Sequence, residues 1–326
     1  MLGVILLSIL ILACITYFLG PKPARPKLET LNINLTSDLP LLEKQINERE
    51  LSTRGIKQGC EAKIIWADTT KKVKTRFVFL YIHGGASSYV DGDPVHRNLA
   101  KRYNANLYLA RLAGHGVDLG DSTLAKETTD DFVYSVEYAL AVAKSLGDEV
   151  VVIGTSFGGA LTAYLASRHP EIKAIVLYSP CIKTYDTRTG IFIKPWGLKM
   201  VQLMTGSKVF DVKLPDAELA KYLTTRYDLN FIAQFQNFLT YADTKETFEK
   251  IKCPVFMGYW YKDEQVKDTV ASVPAMLQMF EELGSTNKRK CAFPNAGNHG
   301  IASALLSKDV ESVQHETERF LDGILQ

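Results

Sequence analysis

The chain has 326 residues, 46% of them hydrophobic, and a formal net charge of +2. That length and apolar content are enough to bury a large core as one big domain, or as one domain carrying an insertion. The near balance of charge speaks against a nucleic-acid partner or a highly charged substrate. Five scattered cysteines without CxxC spacing indicate neither a zinc site nor a disulfide framework.

From the N-terminus, Gly3 to Gly20 ("GVILLSILILACITYFLG") carries no charge and falls within the length range of a bilayer span. "PKPARPK" follows with Lys22, Arg25 and Lys27. No basic residue precedes the apolar run, unlike an ordinary signal peptide. Residues 1–20 are therefore expected to be a single uncleaved transmembrane anchor. A cleaved signal is the alternative, including a lipoprotein signal with Cys14 lipidated. The basic flank would keep the body in the cytoplasm by the positive-inside rule, and the cleaved-signal alternative makes it secreted or a lipoprotein. Residues 21–50 read as a polar, surface-lying linker with Pro21, Pro23, Pro26 and Pro40.

Strands then alternate with helices over 51–326. "EAKIIWAD" and "TRFVFLYIHGG" read as strands, "DPVHRNLAKRY" as a helix, "ANLYLARLAG" as a strand, and "TTDDFVYSVEYALAVAKSLG" as a helix with an acidic first turn. Val150 to Ile153 is a continuous β-branched run, the signature of a strand buried on both faces. "IKAIVLYSP", "CPVFMGYWY" and "RKCAFPNAG" continue the strands, and "VASVPAMLQMFEELG" and "SKDVESVQHETERFLDGIL" the helices. The rhythm predicts an α/β fold, a mostly parallel sheet with helices on both faces. About 182–250 interrupts it and is expected to form a helical lid. There Phe231, Phe235 and Phe238 share a helix face, which suits an apolar acyl chain if it faces a pocket and is otherwise packing on the body.

Between the β-branched run and the helix from Gly158 stands Gly154-Thr155-Ser156-Phe157-Gly158. A sharp strand-to-helix turn forces Ser156 into a strained backbone where neighbouring side chains would clash, so glycines fit at 154 and 158. The serine hydroxyl is then exposed at a helix N-terminus beside the Phe157 N–H, which can face a developing oxyanion. A serine needs a general base and a carboxylate to orient it. His299 ("FPNAGNHGIAS") follows the last strand on the same sheet edge and is the candidate base. His96, His169 and His315 sit in or at the ends of helices. His83 and His115 lie at strand ends beside glycines, in the site's neighbourhood, but precede the serine. For the acid, "MGYWYKDEQVKD" offers Asp263, Glu264 and Asp268. Asp263 stands right after the strand and is the candidate, with Val266 packing its loop and Glu264 as the alternative. "HGGA" supplies a second oxyanion donor, the N–H of Gly85, and Gly84 lets the backbone approach closely.

"YIHGGASS", "ARLAGHGVD", "GTSFGGAL", "GYWYKDEQV" and "NAGNHG", in that order, resemble the α/β-hydrolase superfamily over roughly residues 60–325. The branch is the serine aminopeptidase / monoacylglycerol lipase-like one, with its lysophospholipases and carboxylesterases. The resemblance implies an α/β-hydrolase fold with a lid and Ser156, Asp263 and His299 as triad. It also implies Gly85 and Phe157 as oxyanion hole, with His83, Gly84 and His115 as support. Gly85 stands where relatives often carry a bulkier residue, which implies a different acyl pocket. The implied activity is hydrolysis of carboxylic esters, monoacylglycerol or another small lipid-like ester, with no cofactor. The same triad would also serve acyl transfer, thioester cleavage or an aminopeptidase. A catalytically silent, membrane-tethered binding module is the reading from a different class.

Overall fold

Runs of β-branched and aromatic residues, apolar without alternation, form strands that need cover on both faces. In a computed structural model of the chain, which describes residues 1–214 and 216–326, this is how the sheet is built. In chain order the elements are α1 (Leu2–Phe18), α2 (Leu39–Leu51), β1 (Lys63–Ile65), β2 (Thr75–Ile82), α3 (Val95–Arg102), β3 (Asn106–Leu109), α4 (Thr129–Leu146), β4 (Gly147–Thr155), α5 (Phe157–Arg168) and β5 (Ala174–Tyr178). An insertion holds α6 (Gly197–Thr205), β6 (Val209–Asp211), α7 (Ala217–Tyr222), β7 (Arg226–Asp228), α8 (Asn230–Ala242) and α9 (Lys245–Glu249). The body resumes with β8 (Val255–Tyr259), α10 (Val273–Glu282), β9 (Lys288–Ala292) and α11 (Val310–Leu321).

Seven strands pair in the order β1-β3-β2-β4-β5-β8-β9, parallel except for β1 at the edge. The expected α/β architecture is therefore present, with β4 central. Alternate residues of β4 feed two cores. Val150 and Val152 face α4, α5 and α10, while Val151 and Ile153 face α3 and α11. Parallel strands put all their C-terminal ends on one edge, and ligands of open α/β sheets bind there.

Two expectations for the N-terminal region change. Leu39–Leu51 is a helix, not linker: Asp38 caps it by accepting from Leu41 N, and Leu42 and Ile46 are fully buried. The body thus begins near residue 39. Before it, an extended strap ties to the body and the insertion. Lys27 N donates to Asp130 (2.9 Å), Leu31 N to Glu137 (3.4 Å), and Asn237 donates to the Ala24 carbonyl (2.8 Å). α1 runs 17 residues with no buried side chain. Among the described residues no helix is long and apolar enough to cross a membrane, so the expected spanning anchor is not supported.

Candidate active site

The turn from β4 into α5 has the strain its sequence implies. Ser156 lies at φ 56°, ψ −118°, a region that side chains rarely enter, and it stands at the N-cap position of α5 with no side-chain capping bond. A Cβ on Gly154 would fall 2.3 Å from the Gly158 carbonyl oxygen and from Thr162 Oγ1. One on Gly158 would fall 2.1 Å from the Ile82 carbonyl oxygen. Both glycines are therefore dictated by contact. Neighbouring backbone holds the serine: its N–H donates to the Tyr178 carbonyl, and its own carbonyl accepts from Cys181 N, each at 2.9 Å. Phe157 opens α5, so its N–H is among those left without an intrahelical partner.

The second expected oxyanion donor lies on the loop after β2. His83 is buried and bonded at both ring nitrogens: Nε2 accepts from Leu112 N (3.2 Å), and Nδ1 donates to the Gly84 carbonyl (2.7 Å). The accepting bond at Nε2 fixes the tautomer. Burial pushes its pKa down to about 4, so the ring is neutral at pH 7. With the Gly84 carbonyl held on one side of its peptide, the N–H of Gly85 points to the other. Gly85 is small because a Cβ there would meet the Phe231 ring at 2.9 Å. His115 packs under His83, with ring centroids 5.3 Å apart, and its Nδ1 donates to the Ala113 carbonyl (2.9 Å). Burial first, then His83, push its pKa down to about 3.

His299 stands in the loop after β9, and Nδ1 donates to Asp268 Oδ2 at 2.5 Å. Asp268 is fully buried, and its Oδ1 accepts from Val270 N (2.8 Å) and Ala271 N (3.0 Å). This corrects the acid expected from sequence. Asp263 does not meet the histidine: it accepts from Gln265 N (2.9 Å) and Val266 N (2.8 Å) within a surface turn. Glu264 pairs with Lys267 and accepts from the Tyr261 hydroxyl. Val266, expected to pack the loop down, is 40% exposed. The physical reason is a bridge between Tyr261 and Lys267, which closes the segment into a small hairpin with 263–266 at its tip. Asp268 is the first residue after that bridge, where the chain re-enters the body. The apolar pair Val270-Ala271 and the Ser272 helix cap just behind it are the signal that could have singled it out.

Ser156, Gly84, Gly85 and His299 line one cavity of about 320 Å³ at the C-terminal edge of the sheet. His299 Nε2 is buried there without a protein partner. The apolar walls come from Val212, Leu214, Leu223 and Tyr227 of the insertion, with Val270 and Leu306 from the body. The insertion thus covers the site as a lid would, but not by its aromatic stripe. Phe231, Phe235 and Phe238 pack on Phe157, with ring centroids 6.4, 4.8 and 5.5 Å away. The stripe anchors the lid to the elbow instead of facing a ligand. The other histidines stay outside. His96 is buried against Tyr81, His169 pairs with Glu137, and His315 is exposed.

His96 also gives a pH prediction. Its Nε2 donates to the Tyr89 carbonyl (3.0 Å), and burial lowers its pKa from 6.5 to about 3. A base whose folded pKa is depressed leaves stability intact above about 6.5 and subtracts from it as pH falls towards the folded value, because only the unfolded chain takes up the proton. His96→Phe is expected to cost about 1 kcal/mol at pH 7.5 for the lost hydrogen bond. It should also flatten the decline below pH 6.5 by up to about 1.4 kcal/mol per pH unit relative to wild type. Urea denaturation of both proteins at a series of pH values checks this, and parallel curves would sink it.

A strained serine at a strand–helix elbow, a histidine bonded to a buried aspartate and an apolar cavity on one sheet edge fit a hydrolase of lipase or esterase type. Comparison with known proteins agrees. Residues 78–206 match the alpha/beta hydrolase fold family. The chain is 31% identical over 196 residues to the thermostable monoacylglycerol lipase of Bacillus sp. (strain H-257), covering 59% of this chain and 72% of that protein. Among solved structures, one of the metagenome-derived lipolytic enzymes LipS and LipT superposes with a TM-score of 0.65 at 20% identity, over 82% of this chain and 99% of that one. A soluble variant of the Saccharomyces cerevisiae monoglyceride lipase superposes with a TM-score of 0.60 at 16% identity, over 81% and 90%. The chain belongs to the α/β-hydrolase family, and within it to the carboxylic ester hydrolases of lipase and esterase type.

Proposed function

We propose that this chain hydrolyses small lipid-like carboxylic esters, monoacylglycerols among them, through an acyl-enzyme on Ser156. His299 serves as general base and Asp268 as the carboxylate that orients it. The observation that carries this reading is the His299 Nδ1–Asp268 bond of 2.5 Å on the wall of the cavity that also holds Ser156. With Nδ1 donating to Asp268, Nε2 is left with the lone pair that accepts the serine proton. Ser156 Oγ attacks the ester carbonyl, and the oxygen takes negative charge between the N–H groups of Gly85 and Phe157. His299 then gives its proton to the leaving alkoxide as the carbon–oxygen bond breaks. Water, deprotonated in turn by His299, repeats the attack and releases the acid. The apolar cavity walls and the name of the Bacillus relative support an acyl chain as the substrate's larger part.

The test is a fluorophosphonate probe on the purified full chain, with the modified peptide mapped by mass spectrometry. Beside it runs a panel of nitrophenyl esters and monoacylglycerols of increasing chain length, with added alcohol and amine acceptors. Label on Ser156 and release of free acid are expected. Folded protein that takes no label and cleaves no ester would overturn the reading. Acyl products formed on the added acceptors would make it a transferase.

A further inference from the structure

A buried carboxylate other than Asp268 lines the cavity, and the mechanism above does not use it. Asp91 sits on the short turn Tyr89–Gly92 after the oxyanion loop and is 6% exposed. Both of its oxygens are engaged by that loop. Oδ2 accepts from Gly84 N at 3.0 Å, and Oδ1 accepts from the Ser87 hydroxyl at 2.6 Å. Between those two points lie Gly85 and Ala86, and Ala86 is held at φ 54°. The carboxylate also accounts for the glycine at 84. A Cβ there would fall 2.7 Å from Asp91 Oδ2 and 3.2 Å from the Ser156 Cβ.

Burying a carboxylate where an oxyanion develops is electrostatically unfavourable, so its presence needs a compensating role. Burial raises the Asp91 pKa, while the bonds from Ser87 and Gly84 act against that rise. The pinning of Gly84 is such a role. Gly84 is held twice, by Asp91 at its N–H and by His83 at its carbonyl. Those two bonds set both dihedrals of a residue that has no side chain to restrict them, and so set the direction of the Gly85 N–H.

We propose that Asp91 is a positioning residue, a clamp on the loop from Gly84 to Ser87 that aims the Gly85 N–H at the developing oxyanion. The proposal rests on the serine-hydrolase reading of the site. Misaiming one donor costs rate without costing ground-state binding, because the donor meets its full partner only in the transition state.

The experiment compares wild type, Asp91→Ala, Asp91→Asn and Ser87→Ala for kcat and KM on a nitrophenyl ester. It also measures inhibition by a trifluoromethyl ketone, whose hemiketal carries an oxyanion, and thermal stability. Asp91→Ala is expected to lower kcat on the order of 10²-fold, with KM changed less than about 3-fold and ketone affinity falling in step with kcat/KM. Asp91→Asn keeps an oxygen for Gly84 N and turns its amide towards Ser87 Oγ, so it is expected to recover most of the loss. Ser87→Ala, which frees one end of the clamp, should fall between. Should the alanine variant not fold, the asparagine and serine variants carry the same comparison. Unchanged kcat in Asp91→Ala, a loss confined to KM, or an asparagine variant as impaired as the alanine one would overturn the clamp while leaving the site reading intact. Wild-type protein that takes neither ester nor fluorophosphonate overturns the site reading, and the clamp with it.

Discussion

Asp268→Asn is expected to lower kcat about 10⁴-fold, whereas Asp263→Asn should leave it within about twofold. The two side chains stand five residues apart, yet their surroundings differ completely. Asp268 Oδ1 is held by two backbone donors, Val270 N and Ala271 N, and its other oxygen faces His299 Nδ1. An asparagine there must keep its carbonyl oxygen on those two N–H groups, since its amide nitrogen cannot accept from them. The amide NH₂ is then turned to His299 and can only donate, so Nδ1 must accept and the ring proton moves to Nε2. A ring protonated at Nε2 has no lone pair there for the Ser156 proton, and the fold stays intact while the chemistry stops. Asp263 caps a turn by accepting from Gln265 N and Val266 N, and asparagine does this equally well. Steady-state kinetics on one nitrophenyl ester, with stability measured in parallel, reads both effects. Collapse of Asp263→Asn with Asp268→Asn still active would return the acid to the place where linear order put it.

That pair also shows what could be read from the chain and what could not. Features enforced within a few residues were legible. Val150–Ile153 can only be a two-faced buried strand, and Gly154 and Gly158 announce a turn too tight for side chains. His299 follows the last strand in a loop that must lie on the same edge as the elbow. The acid needed knowledge of where the chain turns back. The Tyr261–Lys267 bridge spends the residues right after β8 on a hairpin, so the residue nearest in sequence to the strand end is displaced from the site. The Phe231, Phe235 and Phe238 stripe was legible as one face, but its partner was not, because Phe157 lies far away in sequence. Asp91 was invisible for the same reason: its meaning lies in contacts with Gly84 and Ser87 that spacing does not predict. The helix Leu39–Leu51 left a readable trace in the Asp38 cap and in Leu42 and Ile46 one turn apart. Four prolines in residues 21–40 made the whole stretch look like linker, although Pro40 sits in the first turn of the helix, where proline is tolerated.

Removing the serine itself should produce the largest loss of all, and two ways of removing it should differ in stability. Ser156→Ala and Ser156→Gly are each expected to lower kcat on the order of 10⁶-fold, because neither has an atom that can form the acyl-enzyme. Their stabilities should then separate. Alanine keeps a Cβ at φ 56°, ψ −118°, whereas glycine enters that region without steric cost. Holding a side chain in such a conformation costs on the order of 1–3 kcal/mol, and glycine's extra freedom in the unfolded chain takes back roughly 0.5–1 kcal/mol. The glycine variant should therefore be more stable than the alanine variant by about 1 kcal/mol, read as a higher urea midpoint at unchanged slope. This is opposite to the usual order of the two residues inside a helix or a strand. Equal midpoints, or alanine the more stable, would mean that the elbow carries no strain. Ser156 would then owe its exposure to something other than the forced turn between β4 and α5.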